Sequence, residues 1–300
     1  MIRSLAGVFT PVVTTFDAKG EALTKAPFLA NIRAHLDAGV NGVVTTGSTG
    51  EAPLLEESER RQLVEWARPL VPADVWLVAG TGGESTPVTT RRCAEAAECG
   101  ADAVLVVAPH YYGAAVTSAG LSSHYRRVAD LCPVPVILYN IPKYMHFALE
   151  PALVGELASH GNIIGIKDSS GDLELLGGYL RAQSPRFTVL TGSGASLYSA
   201  LDLGARGGIL AVADFAAALA VELCRAFRSG DLSAAARAQE RLLPLAREIV
   251  GGMGVPGIKA AMDLVGLHGG EPRHPLLAVG QSQRSRLHAL LREAELQLVA

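Results

Sequence analysis

Ile163-Ile164-Gly165-Ile166-Lys167-Asp168-Ser169-Ser170-Gly171-Asp172 decides how this chain folds, because a short apolar run ends there in a single lysine and a polar turn. A short apolar run of this kind predicts a buried strand, and the small polar residues after it predict a loop. The same order recurs along the chain, each run being followed by an Ala- and Leu-rich stretch with charges on one face. The pattern therefore predicts alternating strands and helices.

About eight runs are predicted as strands, and most are apolar on both faces, which favours parallel strands covered by helices. They are Gly7 to Val13, Gly42 to Thr46, Val75 to Gly80, Ala103 to Ala108, Val136 to Tyr139, Ile163 to Lys167, Thr188 to Thr191 and Gly208 to Val212. Helices predicted between them include Ala26 to Ala38, Glu56 to Val71, Pro87 to Cys99, Ser118 to Leu131, Pro151 to Ser159 and Ser196 to Leu203. Eight such units in roughly 230 residues predict an α/β fold of the (β/α)8 TIM barrel type. A doubly wound sheet is the structural alternative, but no glycine fingerprint follows the first strand.

The chain after the eighth strand has helical spacing throughout. The predicted helices there are Ala216 to Phe227, Leu232 to Val250, Gly257 to Leu264 and Ser282 to Val299. We therefore expect residues 1–215 to form the barrel and residues 216–300 to form its last helix and a C-terminal helical extension. No linker separates the two parts, so they are predicted to be one domain.

Composition excludes several classes of protein. The chain has 300 residues, 49% of them hydrophobic, and a net charge of -3, which is typical of a soluble, well-packed globular protein. No run of like charge predicts binding to nucleic acid or to an anionic membrane. The apolar run between Met1 and Phe9 is too short for a signal peptide, so a cytoplasmic location is expected. The four cysteines form no Cys-x-x-Cys pair and are predicted to be buried thiols.

Lys167 is a candidate nucleophile because it ends a buried strand. Partial desolvation disfavours the charged form of such an amine, and a free amine attacks carbonyl carbons. The alternative is a structural lysine that reaches the rim of the barrel and forms a salt bridge with Asp168 or Asp172. The other strand ends are needed to choose between these interpretations.

Polar and aromatic residues follow the neighbouring strands, where a TIM barrel carries its active site. Thr45 to Glu51 is a glycine-flanked hydroxyl turn, which suits a small carboxylate. Pro109 to Tyr112 and Tyr139 to Pro142 place three tyrosines at two adjacent strand ends, and Thr191 to Gly194 is a Gly-rich turn. Each of these has a structural interpretation of its own, as a capped turn or a packed ring. Their shared position at consecutive strand ends favours a site.

An amine, a phenol and an anion cradle are the groups that a Schiff-base reaction on a 2-oxo acid requires. No metal site is predicted, because the eight histidines lack ligand spacing, and His110 is interpreted as a structural or specificity residue. No nucleotide site is predicted either, since Gly80 to Ser85 lacks the ending of a phosphate loop. The expected cofactor is none beyond a covalent lysine imine with the substrate.

These residues resemble the class I pyruvate-dependent aldolases typified by dihydrodipicolinate synthase and N-acetylneuraminate lyase. Four ordered motifs spread along most of the chain carry the resemblance: Gly47-Ser48-Thr49-Gly50-Glu51, Tyr139-Asn140-Ile141-Pro142, Gly165 to Asp172 and Gly254-Val255-Pro256-Gly257-Ile258-Lys259. The resemblance implies that Lys167 forms an imine with pyruvate and that Tyr139 moves the proton of the aldol hydroxyl. It also implies that Ser48 and Thr49 hold the pyruvyl carboxylate and help to relay protons.

The resemblance implies further roles around the imine. Tyr111 occupies the position of a tyrosine that enters a neighbouring subunit's site, which implies a homo-oligomer, commonly a tetramer. Gly192 and Ile209 are expected to contribute backbone groups near the imine. Ser169 and Tyr144 complete the predicted substrate contacts.

Departures from the family motifs narrow the predicted substrate. Tyr144 stands where dihydrodipicolinate synthases usually carry an Arg that grips the aldehyde's carboxylate, and a phenol does not supply that charged fork. Gly194 and Ala195 stand where sialic acid lyases usually place an acidic pair. The chain is most similar to 4-hydroxy-2-oxoglutarate aldolase, through Glu84-Ser85-Thr86, Tyr111-Tyr112 and Pro256-Gly257-Ile258-Lys259.

We therefore expect a Schiff-base lyase that cleaves a 4-hydroxy-2-oxo acid, preferably 4-hydroxy-2-oxoglutarate, to pyruvate and an aldehyde such as glyoxylate. Dihydrodipicolinate synthase and an aldolase or dehydratase of 2-keto-3-deoxy sugar acids remain alternative enzymes on this scaffold. A barrel that binds 2-oxo acids without turning them over is an alternative of a different class.

Overall fold

The structure is a computed structural model that describes residues 4–299. Across these residues eight parallel strands close into one barrel in their order along the chain. The strands are β1 Gly7–Thr10, β2 Gly42–Thr45, β3 Trp76–Gly80, β4 Ala103–Val107, β5 Val136–Asn140, β6 Ile163–Asp168, β7 Thr188–Thr191 and β8 Gly207–Ile209. The predicted (β/α)8 barrel is confirmed. Met1 to Arg3 and Ala300, which the sequence assigned to the barrel and the extension, lie outside the described residues.

Helices alternate with these strands and cover the barrel. They are α1 Lys25–Asp37, α2 Glu57–Ala67, α3 Thr86–Glu98, α4 Ser118–Leu131, α5 Pro142–Met145, α6 Pro151–Leu157, α7 Leu173–Leu180, α8 Leu197–Leu203 and α9 Ala213–Ser229. Short 3-10 turns occur at Ala52–Leu54, Gly113–Ala115 and Gly194–Ser196. The sequence did not predict α5, which has four residues, or α7, whose Gly177 and Gly178 weaken the helical signal.

Two element bounds differ from the prediction for reasons that the backbone shows. β1 ends at Thr10 instead of Val13, because Pro11 has no N–H to donate to a neighbouring strand. α9 begins at Ala213 but has non-helical backbone at Ala216, which is the residue where the sequence expected the helix to start.

The chain after α9 is helical, as predicted. α10 Leu232–Pro244 continues into a π-helix, Leu245–Met253, which is followed by α11 Gly254–Leu264 and α12 Gln281–Glu293. The sequence predicted one helix from Leu232 to Val250, and the hydrophobic period gave no sign of the change to π geometry. The π-helix and the start of α11 place Gly251 and Gly254 over the carboxyl ends of the strands, where they line the cavities described below. No helix within residues 4–299 has the length and apolarity needed to cross a bilayer.

Candidate active site

Lys167 and Tyr139 lie side by side at the ends of two adjacent strands. β5 and β6 are parallel neighbours in which Tyr139 pairs with Lys167 in register. Both side chains are buried, with 4% of Tyr139 and 5% of Lys167 exposed. The Lys167 Nζ atom lies 4.2 Å from the centre of the Tyr139 ring. The sheet itself therefore brings an amine and a phenol together.

The salt-bridge alternative for Lys167 is wrong. The Asp168 carboxylate accepts from Asn140 Nδ2 at 2.7 Å and from the Ser170 hydroxyl at 2.7 Å. Asp172 caps α7 instead, since its Oδ1 accepts from the backbone N–H of Glu174 at 2.8 Å. Within residues 4–299 no carboxylate forms an ion pair with Lys167, so its amine faces the cavity without an anionic partner.

The carboxyl group of Asp214 is buried opposite the His35 imidazole. Asp214, at the start of α9, is fully buried, and burial raises its pKa well above the usual range, with the Lys167 charge acting in the opposite direction. One Asp214 oxygen accepts from the Val13 N–H at 3.2 Å and lies 3.9 Å from His35 Nε2. Burial lowers the pKa of His35 to about 4. His35 is therefore largely uncharged at neutral pH, and burial favours the protonated form of the Asp214 carboxyl opposite it.

The turn after β2 places Ser48 and Thr49 beside Lys167. Its backbone is left-handed at Thr46, with φ 52°, and at Glu51, with φ 58°. The Thr14 hydroxyl donates to the Gly50 carbonyl at 2.6 Å, which fixes the middle of the turn. Among the described residues none accepts from the backbone N–H of Ser48 or Thr49, so both donors are free to bind an anion.

A buried ion pair locks this turn to the C-terminal extension. Glu51 Oε1 lies 2.6 Å from the Lys259 amine, and the two side chains are 0% and 1% exposed. Lys259 Nζ also donates to the Glu271 carbonyl at 2.8 Å, and Glu51 Oε2 accepts from the Arg273 N–H at 2.8 Å. Burial lowers the pKa of Lys259 in spite of the Glu51 charge. The sequence placed both residues in motifs but did not predict that they pair.

Gly192 is required by close packing against the lysine. A Cβ atom at this position would lie 1.9 Å from Ser169 Oγ and 2.9 Å from Lys167 Cε. Ile209 on β8 is fully buried and lines the same cavity as Lys167, Ser169 and Gly192. The predicted contacts from three different strands therefore converge on the amine.

Two adjoining cavities open at these strand ends. The inner one, about 220 Å³, is lined by Lys167, Thr49, Ser169, Gly192 and Ile209 among others. The outer one, about 940 Å³, extends past the ends of β3 and β4. A shared set of residues forms the wall between them, including Ser48, Tyr139, Lys143, Tyr144 and Gly251. Tyr144 is 44% exposed, and burial, then the neighbouring Tyr139, raises the pKa of its phenol.

Tyr111 is the predicted site residue that this chain does not bring to Lys167. Its side chain is 79% exposed and packs edge to face on Tyr112, with ring centres 5.1 Å apart. Glu84 holds the loop, because one of its oxygens accepts from the backbone N–H groups of His110 and Tyr111 at 2.8 and 2.9 Å. The role of Tyr111 in a neighbouring subunit stays a prediction. No group of three His, Cys, Asp or Glu side chains in residues 4–299 is arranged to hold a metal ion.

A TIM barrel that buries an unpaired lysine against a phenol, beside a turn with free amides, defines the class of Schiff-base lyases. The chain belongs to the dihydrodipicolinate synthetase family, whose model matches residues 4–294. It is therefore a class I lyase.

Relatives and solved structures agree with this assignment. The chain is 38% identical over 285 residues to an uncharacterized DapA-like lyase of Halobacterium salinarum, covering 95% of this chain and 92% of the relative. It is 33% identical over 281 residues to 4-hydroxy-tetrahydrodipicolinate synthase of Exiguobacterium sp., covering 94% and 95%. The crystal structure of YagE, a prophage protein of the dihydrodipicolinic acid synthase family from E. coli K12 in complex with pyruvate, superposes with a TM-score of 0.91. Its identity is 34%, with 98% of this chain and 99% of YagE covered.

Proposed function

We propose that this protein cleaves a 4-hydroxy-2-oxo acid, with 4-hydroxy-2-oxoglutarate giving pyruvate and glyoxylate as the preferred reaction. The observation that carries the proposal is the buried, unpaired Lys167 amine 4.2 Å from the centre of the Tyr139 ring. Free backbone amides at Ser48 and Thr49 supply a place for the substrate's C1 carboxylate. Pyruvate binding by YagE, a relative 34% identical, supports a 2-oxo acid as the ligand.

The reaction begins when the free amine of Lys167 attacks the C2 carbonyl of the substrate. Water leaves, and the Lys167 nitrogen is then joined to C2 by the double bond of a protonated imine. The C4 hydroxyl then gives its proton to the Tyr139 oxygen while the Tyr139 hydroxyl passes its own proton on through the relay, the C3–C4 bond breaks, and the electron pair of that bond moves through C3 into the imine. The aldehyde departs, the resulting enamine takes a proton at C3, and water hydrolyses the imine to release pyruvate and Lys167.

The inner cavity favours a short substrate. Its volume of about 220 Å³ is small, and the backbone at Gly192 packs against Lys167 and Ser169 with no room for a side chain. Tyr144 stands at the position where the resemblance expects an Arg in dihydrodipicolinate synthases, which weighs against aspartate semialdehyde as the partner of pyruvate.

A second candidate is 4-hydroxy-tetrahydrodipicolinate synthase, because several relatives of 32–35% identity carry that name. Aldol cleavage or dehydration of 2-keto-3-deoxy sugar acids is a further alternative, since the outer cavity is large enough for a longer chain. A non-catalytic binding barrel is the alternative outside enzymes, but it gives no reason for a buried amine beside a phenol.

Product assays separate these reactions. Glyoxylate and pyruvate released from 4-hydroxy-2-oxoglutarate are measured against turnover of pyruvate with aspartate semialdehyde and against cleavage of 2-keto-3-deoxygluconate. We expect the first reaction to be the fastest by kcat/KM and to be lost in Lys167→Ala, with Lys19→Ala as the exposed-lysine control. Absence of glyoxylate from the first substrate would contradict the proposed reaction.

We also propose that the active form is a homo-oligomer, as the resemblance implies, with Tyr111 completing a partner's site. The supporting observation is a pair of rings, Tyr111 and Tyr112, that are 79% and 74% exposed on a loop held in place by Glu84. Sedimentation velocity is expected to show a tetramer. A monomer that retains full activity would contradict this.

A further inference from the structure

The inner cavity carries an unusual balance of charge. Of the described residues that line it, Lys143 and Lys167 are the charged ones, and none is an Asp, Glu, Asn or Gln. A sugar acid would bring a row of hydroxyl groups, which need acceptors such as carboxylates or amides. A cavity with two amines and several hydroxyls is matched instead to a substrate with two carboxylates.

Lys143 is the second cation on the lining of the inner cavity. It follows β5 in the short helix α5 and lines both the inner and the outer cavity, as do Tyr139 and Gly251. With Lys167 joined to C2 and the C1 carboxylate at the Ser48 and Thr49 amides, Lys143 is the remaining cation that the described lining of the inner cavity offers to a distal carboxylate.

The Lys143 amine is available to a ligand. It donates to the Gly251 carbonyl at 3.2 Å and lies 5.8 Å from the centre of the Tyr144 ring, and within residues 4–299 no carboxylate pairs with it. The flexible Lys143 side chain can leave the Gly251 carbonyl and donate to a substrate carboxylate instead. The hydrogen bond to the carboxylate is the stronger of the two, because both partners are charged.

The outer cavity has other charged groups, but of the described residues none of these lines the inner cavity. Arg92 binds Glu57 through a contact of 2.6 Å, and Glu84 accepts from the backbone amides of His110 and Tyr111. Arg60 donates to backbone carbonyl groups. Lys143 is therefore the cation of the shared wall that lacks an anion.

We propose that Lys143 binds the distal carboxylate of the substrate and so selects dicarboxylic 2-oxo acids. This inference rests on the proposed function, because it assumes that a 2-oxo acid is held at Lys167. It assigns to Lys143 the specificity that Tyr144, a neutral phenol, does not supply.

The test compares 2-oxoglutarate with 2-oxopentanoate, in which a methyl group replaces the distal carboxylate. The concentration of each that gives half-maximal borohydride labelling of Lys167 is measured for the native protein, Lys143→Met and Lys143→Arg. We expect the native protein to prefer 2-oxoglutarate by about tenfold or more, the size of one charge-assisted hydrogen bond. Lys143→Met should bring the ratio close to one, and Lys143→Arg should keep most of it.

Steady-state kinetics give a second readout. With 4-hydroxy-2-oxoglutarate, Lys143→Met should raise KM about tenfold and leave kcat within about twofold, because the distal contact is the same in the ground state and the transition state. A ratio near one in the native protein, or an unchanged ratio in Lys143→Met, would overturn the assignment. Calorimetric titration of Lys167→Ala and of Lys143→Met/Lys167→Ala with the same two acids measures the ratio without imine formation. Failure of all labelling would therefore overturn the proposed function, while the selectivity due to Lys143 would still be decided.

Discussion

Gly192→Ala tests whether the packing around the lysine is as tight as the structure has it. The added Cβ atom would lie 1.9 Å from Ser169 Oγ and 2.9 Å from Lys167 Cε, and neither distance is possible for a real side chain. To reach ordinary contact, the Ser169 hydroxyl must therefore move by about 1.5 Å and the lysine by about 0.5 Å, and displacements of this order near the reacting atoms cost up to about 10²-fold in rate. Overpacking adds roughly 1–3 kcal/mol of destabilisation.

The assay is the rate of borohydride labelling of Lys167 by pyruvate, followed by intact mass. Gly177→Ala is the matched control, because a Cβ at this α7 position meets no atom within 4 Å, and it should label at the native rate. The double variant Ser169→Ala/Gly192→Ala removes the shorter contact, so its labelling rate should be higher than that of Gly192→Ala. The labelling rate of Ser169→Ala alone shows how much the loss of the hydroxyl contributes. Native labelling by Gly192→Ala, with the fold intact by circular dichroism, would refute the reasoning.

Three further predictions concern the proton carrier, the buried ion pair and acid stability. Tyr139→Phe should lower kcat by about 10²–10⁴ and leave labelling of Lys167 intact, because the phenol moves a proton and does not form the imine; equal loss of both would contradict this. Lys259→Met should lower the free energy of unfolding in denaturant by about 3–5 kcal/mol, because it leaves Glu51 buried and unpaired, and Glu51→Gln/Lys259→Met should recover part of the loss. An unchanged free energy of unfolding would show that the ion pair does not stabilise the fold. Burial lowers the pKa of His35 and of His124 to about 4, so the native state binds fewer protons than the unfolded chain below pH 6.5. Stability should therefore be full above pH 6.5 and fall by roughly 3 kcal/mol for each histidine as the pH approaches 4; a melting temperature that stays flat over this range, with no gain in His124→Asn, would be the contrary result.

The barrel could be predicted from sequence because its strands are short, apolar on both faces and separated by helices of ordinary length. Lys167 and Tyr139 could be predicted because the carboxyl ends of parallel strands meet at one end of a barrel. The two residues then pair in register because β5 and β6 are adjacent parallel strands of the barrel.

Other features depend on contacts that the local pattern does not encode. The π-helix Leu245–Met253 keeps an amphipathic spacing, so the sequence predicted an ordinary helix there. The ion pair between Glu51 and Lys259 joins two motifs about 200 residues apart in the chain. The direction of the Lys143 side chain depends on Gly251, which only the folded extension brings within reach.

The central claim is that Lys167 forms an imine with a 2-oxo acid. Borohydride treatment in the presence of pyruvate, followed by peptide mass analysis, tests it most directly. We expect a reduced pyruvyl adduct on the peptide that contains Lys167, with Lys143 and Lys259 unmodified and no adduct in Lys167→Ala. An unmodified Lys167, or an adduct on a different lysine, would contradict it.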